Sequence, residues 1–360
     1  MRRVLHIVEY LYQGGIERLL EQLAAHTQKD TASLVFYTYQ TPRLEGIAKE
    51  IQDTGVPLYC YDKPKGYDLK LVRHLIQIVK THQIETIHTH DFGPMEYAVA
   101  LKLRFPRLQL VHTHHSMHYF LRFKRYVTAF QFFSLFYDRI ICVSDFVKNE
   151  LRRTCPLAKT KLVTIPNGVN LSAFPPKAIS LQNKPLRLVN VSRISPEKNL
   201  IHILKACKKL WDEGVSFEFH HAGSGDAATE KQLKDFIREN QLGSVVHLHG
   251  FQSDVRKILV KADIFISSSF TEGHPVAVLE AMAAGMLCLC SDIAAHRLIS
   301  NDAVLFFSLD ETSLPALLMK VAQTPEKFIP LGARAREEVT LHFSLERMIA
   351  AYSSIYARSN

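Results

Sequence analysis

The stretch "PNGVNLSAFPPKAISLQNKP" (166–185) decides how the chain is read. It is rich in Pro, Asn and Ser and has no helical or strand periodicity, which marks a linker. Before it, short apolar runs alternate with amphipathic helical patterns. The runs are "RVLHIV" (3–8), "ASLVFYT" (32–38), "PLYCY" (57–61), "ETIHTH" (85–90), "LQLVHTH" (108–114), "RIICVS" (139–144) and "KLVTI" (161–165), with helices such as 16–26, 69–82 and 145–153. After it the alternation restarts. "LRLVNVS" (186–192), a helix at 198–213, "SFEFHHAG" (216–223), a helix at 227–240, "VVHLHGF" (245–251), "DIFISSS" (263–269), a helix near 275–284 and "LCLCS" (287–291) follow in order. Nearly all-apolar strands alternating with helices indicate parallel sheets covered on both faces. The prediction is an α/β protein of two Rossmann-like, doubly wound domains facing each other across a cleft, the first over 1–170, a linker over 171–185 and the second over 186–343.

Length and composition agree with this division. A chain of 360 residues exceeds what one hydrophobic core usually supports. With 47% hydrophobic and 22% charged residues it is ordinary globular protein, and no run of 18 apolar residues predicts a membrane span. "MRRVLHIVEY" reads as a first strand rather than a signal peptide, because His6 and Glu9 break its apolar run. The six cysteines form no C-x-x-C pair and no regular framework, so reduced core thiols are expected. The 18 histidines contain no H-E-x-x-H or comparable ligand set, so no metal site is expected. Net charge is +9, and residues 102–161 alone hold twelve Lys/Arg against three Asp/Glu, a local excess of 12 − 3 = +9. Such an excess calls for an anionic partner of the first domain, whether phospholipid, nucleic acid or phosphorylated substrate.

Ligands of doubly wound sheets bind beyond the carboxyl ends of the strands. The first such loop, "EYLYQGGIERLLEQL", joins strand to helix through Gly14 and Gly15. Two glycines permit a tight turn and let a ligand approach amides at a positive helix end, although packing alone also explains such a pair. In the second domain "NVSRISPEKNL" puts Arg193 and Lys198 after its first strand, as cations aimed at a ligand or as a solvated charged loop. "HHAGSGD" (220–226), with Gly223, offers a phosphate or ribose contact or a plain turn. The most informative loop is "SFTEGHPVAVLEAMAAGMLCLC" (269–290). A helix beginning near 274–276 would leave Glu272 just before it and Glu280 in its second turn. Eight residues is a little over two turns, so both carboxylates fall on nearly one side. The amides around Gly273, His274, Pro275 and Val276 would then form an anion site edged by two hydroxyl-accepting carboxylates. That arrangement suits a molecule with sugar, diphosphate and ribose in sequence. A capping Glu and an incidental surface Glu is the structural alternative.

At these residues the chain resembles the GT-B glycosyltransferases of family 4, which use nucleotide sugars with retention of configuration. "GGIER", "PNGV", "SRISPEKN", "HAGSGD", "HGF" and "EGHPVAVLEAMAAG" carry the likeness over nearly the whole chain, and the last is the family's E-x7-E motif. The resemblance implies that Glu272 binds hydroxyls of the transferred sugar, Glu280 the nucleotide ribose, and Arg193 and Lys198 the diphosphate. It further implies that Gly15 approaches phosphates or acceptor, and that backbone near Phe251 holds the base. In "VHTHHSM" the family's threonine-x-histidine pattern falls on Thr113 and His115, making His115 the sugar-side catalytic histidine. His90 is the second candidate and, with Gly14 and His115, is expected at the acceptor, whereas His88 and His112 read as core histidines. His274 departs from the aromatic found in many relatives, which leaves the donor sugar open. Residues 344–360 resemble the family's closing helix, which often crosses back to the first domain.

The implied function is transfer of a sugar from a UDP- or GDP-linked donor to a glycan or lipid-linked acceptor in cell-surface polysaccharide synthesis. A GT-B phosphorylase or sugar-nucleotide epimerase is the alternative. No two aspartates stand two positions apart, so the D-x-D ligand pair of metal-dependent transferases is missing. Arg193, Lys198 and a helix terminus would offset the leaving diphosphate instead, without a metal. "HYFLRFKRYVTAFQFFSLFYDR" (118–139) mixes basic and aromatic residues, as an interfacial membrane helix does. A core helix with a basic edge is the other reading. On the first, the protein is cytoplasmic and peripheral on the inner face of the membrane. Nucleic acid is not expected as a partner, because no binding motif accompanies the charge.

Overall fold

The computed structural model describes residues 3–11, 15–26, 34–39, 47–117, 120, 123–181, 185–300 and 302–357. Two compact units divide the chain: Met1–Asn167 with Leu345–Asn360, and Gly168–Ser344.

The first unit holds β1 (Val4–Val8), β2 (Leu34–Thr38), β3 (Leu58–Cys60), β4 (Thr86–His90), β5 (Gln109–His114), β6 (Arg139–Cys142) and β7 (Leu162–Thr164). They form one parallel sheet in the order β3-β2-β1-β4-β5-β6-β7. Every residue of β1 and β4 is buried, as two helix-covered faces require. Alternation assigns the faces: Leu5 and Ile7 point into one core cluster, Val4 and Val8 into another. Two helices of this unit begin where a polar side chain satisfies a free amide. Asp68 accepts from the amide of Lys70 at 2.8 Å, and Ser144 from that of Val147 at 3.3 Å.

The second unit holds β8 (Leu186–Val191), β9 (Phe217–Ala222), β10 (Val246–Leu248), β11 (Ile264–Ser267), β12 (Leu287–Ser291) and β13 (Val304–Phe307), parallel and ordered β10-β9-β8-β11-β12-β13. Strand order reverses direction beside the first strand of each sheet, between β1 and β4 and between β8 and β11. Loops that leave those neighbours in opposite directions open a crevice there, the usual ligand position of such sheets.

Two expectations change. The segment expected as a linker over 171–185 is packed on the second unit as far as it is described: Phe174 lies in one of that unit's core clusters, Ile179 and Leu181 in the other. Its apolar residues are too widely spaced to show periodicity, yet each finds a core. The segment 118–139 divides between core and surface as far as it is described. Phe120, Phe130 and Tyr137 are buried, while the helix Lys124–Ser134 exposes Lys124, Arg125 and Phe132, followed by exposed Leu135. His118, Tyr119, Leu121 and Arg122 lie outside the described residues. Strand β13 escaped the sequence analysis because only four apolar residues, "VLFF", mark it.

The helix Leu345–Tyr356 belongs to the first unit, although the whole second unit precedes it. Leu345, Met348, Ile349, Tyr352 and Tyr356 share a core cluster with Val4, Val8, Leu20, Val111 and Ile165. Its tyrosines also close the sheet's polar face: the Tyr356 hydroxyl lies 2.6 Å from His88 Nδ1, and that of Tyr352 3.3 Å from Thr113 Oγ1. Replacing Ile349 by Ala should therefore destabilise the first unit by about 2–4 kcal/mol, the cost of an unfilled core site. Urea unfolding measures it, and a change below about 0.5 kcal/mol would mean the helix is not part of that core.

Candidate functional site

In the second unit the loops after β8 and β11 meet through an acid and a base. Lys198 ends the short 3₁₀ turn Pro196–Lys198, and Glu272 lies in the loop before the helix Val276–Ala283. Lys198 Nζ donates to Glu272 Oε1 at 2.6 Å, and Ser269 Oγ donates to the same oxygen at 2.7 Å. Burial alone would push the Glu272 carboxyl up. The Lys198 ammonium and the hydrogen bonds from Lys198 and Ser269 more than offset that, holding it below its ordinary range. Ser268 Oγ donates to the carbonyl oxygens of Lys198 and Asn199, and the amide of Phe270 to that of Glu197, so the loops are stitched together. Asn199 holds a left-handed turn at φ 50°, one of the few side chains that tolerates it. Arg193 stands apart: its side chain is 65% exposed and lies 3.9 Å from Glu197.

Behind this pair the sheet is tied by polar side chains. Asn190 donates to the carbonyl of Ile266 on β11 at 2.7 Å, and its oxygen accepts from Ser192 at 2.8 Å and from His221 Nδ1 at 3.1 Å. Buried His296 donates from Nδ1 to the carbonyl of Ser291 at 2.8 Å, leaving Nε2 to accept from Ser267 Oγ at 3.2 Å. The sequence analysis missed Ser268, Ser269, Asn190 and His296; the three consecutive serines after an apolar strand were the signal available.

The predicted residues of this unit are placed as follows. Glu272 lies outside the helix, so helical spacing does not relate it to Glu280, which is buried in the second turn. Pro275 precedes the helix, no side chain caps its start, and Val276 is its first residue. Gly273 and His274 are buried, and burial lowers the His274 imidazole to about 4 against the opposing charge of Glu272. Phe251 is about half exposed. The amide of Gly223 donates to the carbonyl of Gly250 at 2.8 Å. A Cβ on Gly223 would come within 1.8 Å of the Ser192 carbonyl oxygen, and one on Gly225 within 2.1 Å of that of Ile194. These glycines let the loops after β8 and β9 touch backbone to backbone.

In the first unit the strand ends carry histidine. His6 on β1, His88 and His90 on β4 and His112 on β5 are buried, and His115 just past β5 is half-buried. His6 Nδ1 is 3.0 Å from His90 Nε2, and His90 Nδ1 is 3.1 Å from His115 Nε2. His90, expected at the acceptor, thus has both ring nitrogens engaged with other histidines. His88 is held on both sides, by Tyr356 and by Thr113 Oγ1 at 2.7 Å. Gly15 opens the helix Gly15–His26, and Gly14 lies outside the described residues. Ligand atoms of His6, His88 and His90 lie within 4.8 Å of one another, a grouping of metal-ligating side chains that sequence spacing did not reveal. Parallel pairing produces it, setting His6 directly beside His88.

Comparison with known proteins accords with both halves. The family described as Glycosyltransferase Family 4 matches residues 13–173, and Glycosyl transferases group 1 matches residues 175–336. The amylovoran biosynthesis glycosyltransferase AmsK of Erwinia amylovora is 31% identical over 201 residues, 53% of this chain and 48% of AmsK, so the chain spans about half of that relative. A UDP-Gal:alpha-D-GlcNAc-diphosphoundecaprenol alpha-1,3-galactosyltransferase of Escherichia coli is 24% identical over 84% of this chain and 82% of its own. Among solved structures, Anabaena HepE in complex with UDP and glucose superposes with a TM-score of 0.86 at 14% identity, covering 99% of both chains.

The buried histidines make stability depend on pH. Burial depresses His6 to about 3 and drives His88, His90 and His112 well below the ordinary range, whereas in the unfolded chain each titrates near ~6.5. Between those values the unfolded state binds more protons, so stability is full above ~6.5 and falls as pH drops, by about 1.4 kcal/mol per unit for each such histidine. The unfolding temperature should fall steadily from pH 7 to pH 5 in differential scanning fluorimetry. A flat profile would contradict the burial of these rings.

Proposed function

Because this chain belongs to the GT-B glycosyltransferases of the family 4 type, we propose that it moves a sugar from a nucleoside-diphosphate donor to a glycan or lipid-linked acceptor. The carrying observation is the contact pair of Lys198 and Glu272. An ammonium and a carboxylate 2.6 Å apart suit a group in which phosphate and hydroxyls occupy neighbouring positions on one ring. Lys198 and exposed Arg193 receive the diphosphate, Glu272 the hydroxyls of the transferred sugar and Glu280 those of the ribose. The amides at Gly273–Val276 and the backbone near Phe251 complete the donor contacts; Gly15 and His115 are the residues the family resemblance marks in the first unit. UDP in the HepE crystal supports a uridine donor, with a guanosine donor as the second form. AmsK and the galactosyltransferase support an acceptor from polysaccharide or lipid-linked sugar synthesis.

In the reaction the bond between the anomeric carbon and the diphosphate oxygen breaks as the acceptor oxygen bonds to the same face of that carbon. The acceptor proton passes to the departing phosphate, and configuration is retained. Negative charge grows on the leaving diphosphate, where the side chains of Arg193 and Lys198 supply fixed positive charge in place of a metal. Exposed Arg193 separates chemistry from folding. Arg193→Ala should lower kcat about a hundred- to a thousandfold, with unfolding free energy changed by less than about 0.5 kcal/mol. Assayed with UDP- and GDP-sugars in excess EDTA, the wild type should keep full activity. Loss restored by Mg²⁺ would overturn the metal-free mechanism, and donor turnover without acceptor would favour an epimerase.

No described helix is long and apolar enough to cross a membrane. The face carrying Lys124, Arg125, Phe132 and Leu135 supports peripheral contact with an anionic surface on the cytoplasmic side, where lipid-linked acceptors would be met. Co-sedimentation with phosphatidylglycerol vesicles at low salt should weaken in the variant Arg125→Glu with Phe132→Ser. Equal binding of both proteins would remove this contact.

A further inference from the structure

His115 ends a chain of imidazoles that runs back into the sheet. The links are His6 Nδ1 to His90 Nε2 and His90 Nδ1 to His115 Nε2, at 3.0 and 3.1 Å. Each link therefore joins the Nδ1 of one ring to the Nε2 of the next. A neutral imidazole carries one N–H and one acceptor nitrogen, so each link needs a donor facing an acceptor. If His6 donates from Nδ1, His90 accepts at Nε2, carries its proton on Nδ1 and donates to His115 Nε2. His115 must then be protonated on Nδ1. If the direction reverses, all three carry the proton on Nε2. Only these two arrangements satisfy both links, and one converts to the other when every ring changes together.

We propose that His6, His90 and His115 form a single tautomeric unit, in which His90 and His6 are positioning residues that fix which nitrogen of His115 bears the proton. Burial supports the neutral state this needs, since desolvation lowers His6 and His115 to about 3, with the charge of His114 adding to the effect on His115. The chain is well braced. His6 and His90 stack with ring centroids 5.3 Å apart, and His88 packs on both at 4.9 and 4.3 Å. His88 stands outside the chain because hydroxyls of Tyr356 and Thr113 occupy its two nitrogens. That engagement also argues against a metal held by His6, His88 and His90, which would have to break these bonds to form.

The coupling is set by geometry within one unit; only its catalytic consequence rests on His115 acting on the sugar. Long-range ¹H–¹⁵N correlation spectra of the full chain, labelled with ¹⁵N-histidine at pH 7, read the tautomer of each ring directly. His6, His90 and His115 should show one common form, all Nδ1–H or all Nε2–H. Mixed forms among the three, or a doubly protonated ring, would overturn the proposal, as would stoichiometric zinc co-purifying with the protein. The wild-type spectrum decides this even where a substituted chain does not fold. In His6→Phe, whose ring is remote from solvent, His115 should lose its single form, and kcat should fall about ten- to a hundredfold, as when an outer partner of a functional histidine is removed. An unchanged His115 signal in that variant would also overturn it. If His115→Ala transfers sugar normally while the wild-type rings share one form, the catalytic reading of His115 fails and the coupled chain stands.

Discussion

Both sheets are parallel and covered on both faces, so any polar side chain on an inner strand position must find its partner inside the protein. That constraint governs each functional feature of the molecule. In the second unit Asn190 engages His221 and the Ile266 carbonyl, and His296 engages Ser267 and Ser291, while the charged pair Lys198 and Glu272 sits in the strand-end loops. In the first unit the same demand links His6, His90 and His115 in a hydrogen-bonded series, while His88 beside them is held by the Tyr356 hydroxyl of the last helix and by Thr113.

Much of this was legible in the chain. Alternating apolar strands and amphipathic helices announced two doubly wound sheets, since a strand buried on both faces leaves an unbroken apolar run. Arg193, Lys198 and Glu272 were legible for a related reason: charged residues directly after such runs lie where the sheet can no longer bury them. The pairing of Lys198 with Glu272 was not, because 74 residues separate them and only strand order brings their loops together. The backbone contact at Gly223 was hidden on the same account. A glycine after a strand looks the same whether it admits a ligand or a neighbouring loop, and here the Ser192 carbonyl fills the space.

The histidines mark the limit of reading along the chain. His6, His90 and His115 are far apart in sequence, and although the resemblance singled out His115 and then His90, nothing along the chain joined either of them to His6. Register alone makes them neighbours, by pairing β1 with β4 and β4 with β5. Segment 118–139 shows the converse: its composition allowed a membrane helix or a core helix with a basic edge, and Phe130 and Tyr137 belong to the core while Phe123, Lys124, Arg125, Phe132 and Leu135 are exposed.

The course of the chain carries a consequence for biosynthesis. The first unit is interrupted by the second, Gly168–Ser344, and is completed only by Leu345–Tyr356. At the usual 5–20 residues per second, roughly 9–35 s of translation separate its sheet from the helix that covers it. Throughout that interval an apolar sheet face and several buried-to-be imidazoles stand open to water and to other nascent chains. The second unit, continuous in sequence, can assemble during that wait. The continuous second unit is thus complete in the emerging chain before the first, whose sheet is open to aggregation until its last helix is made.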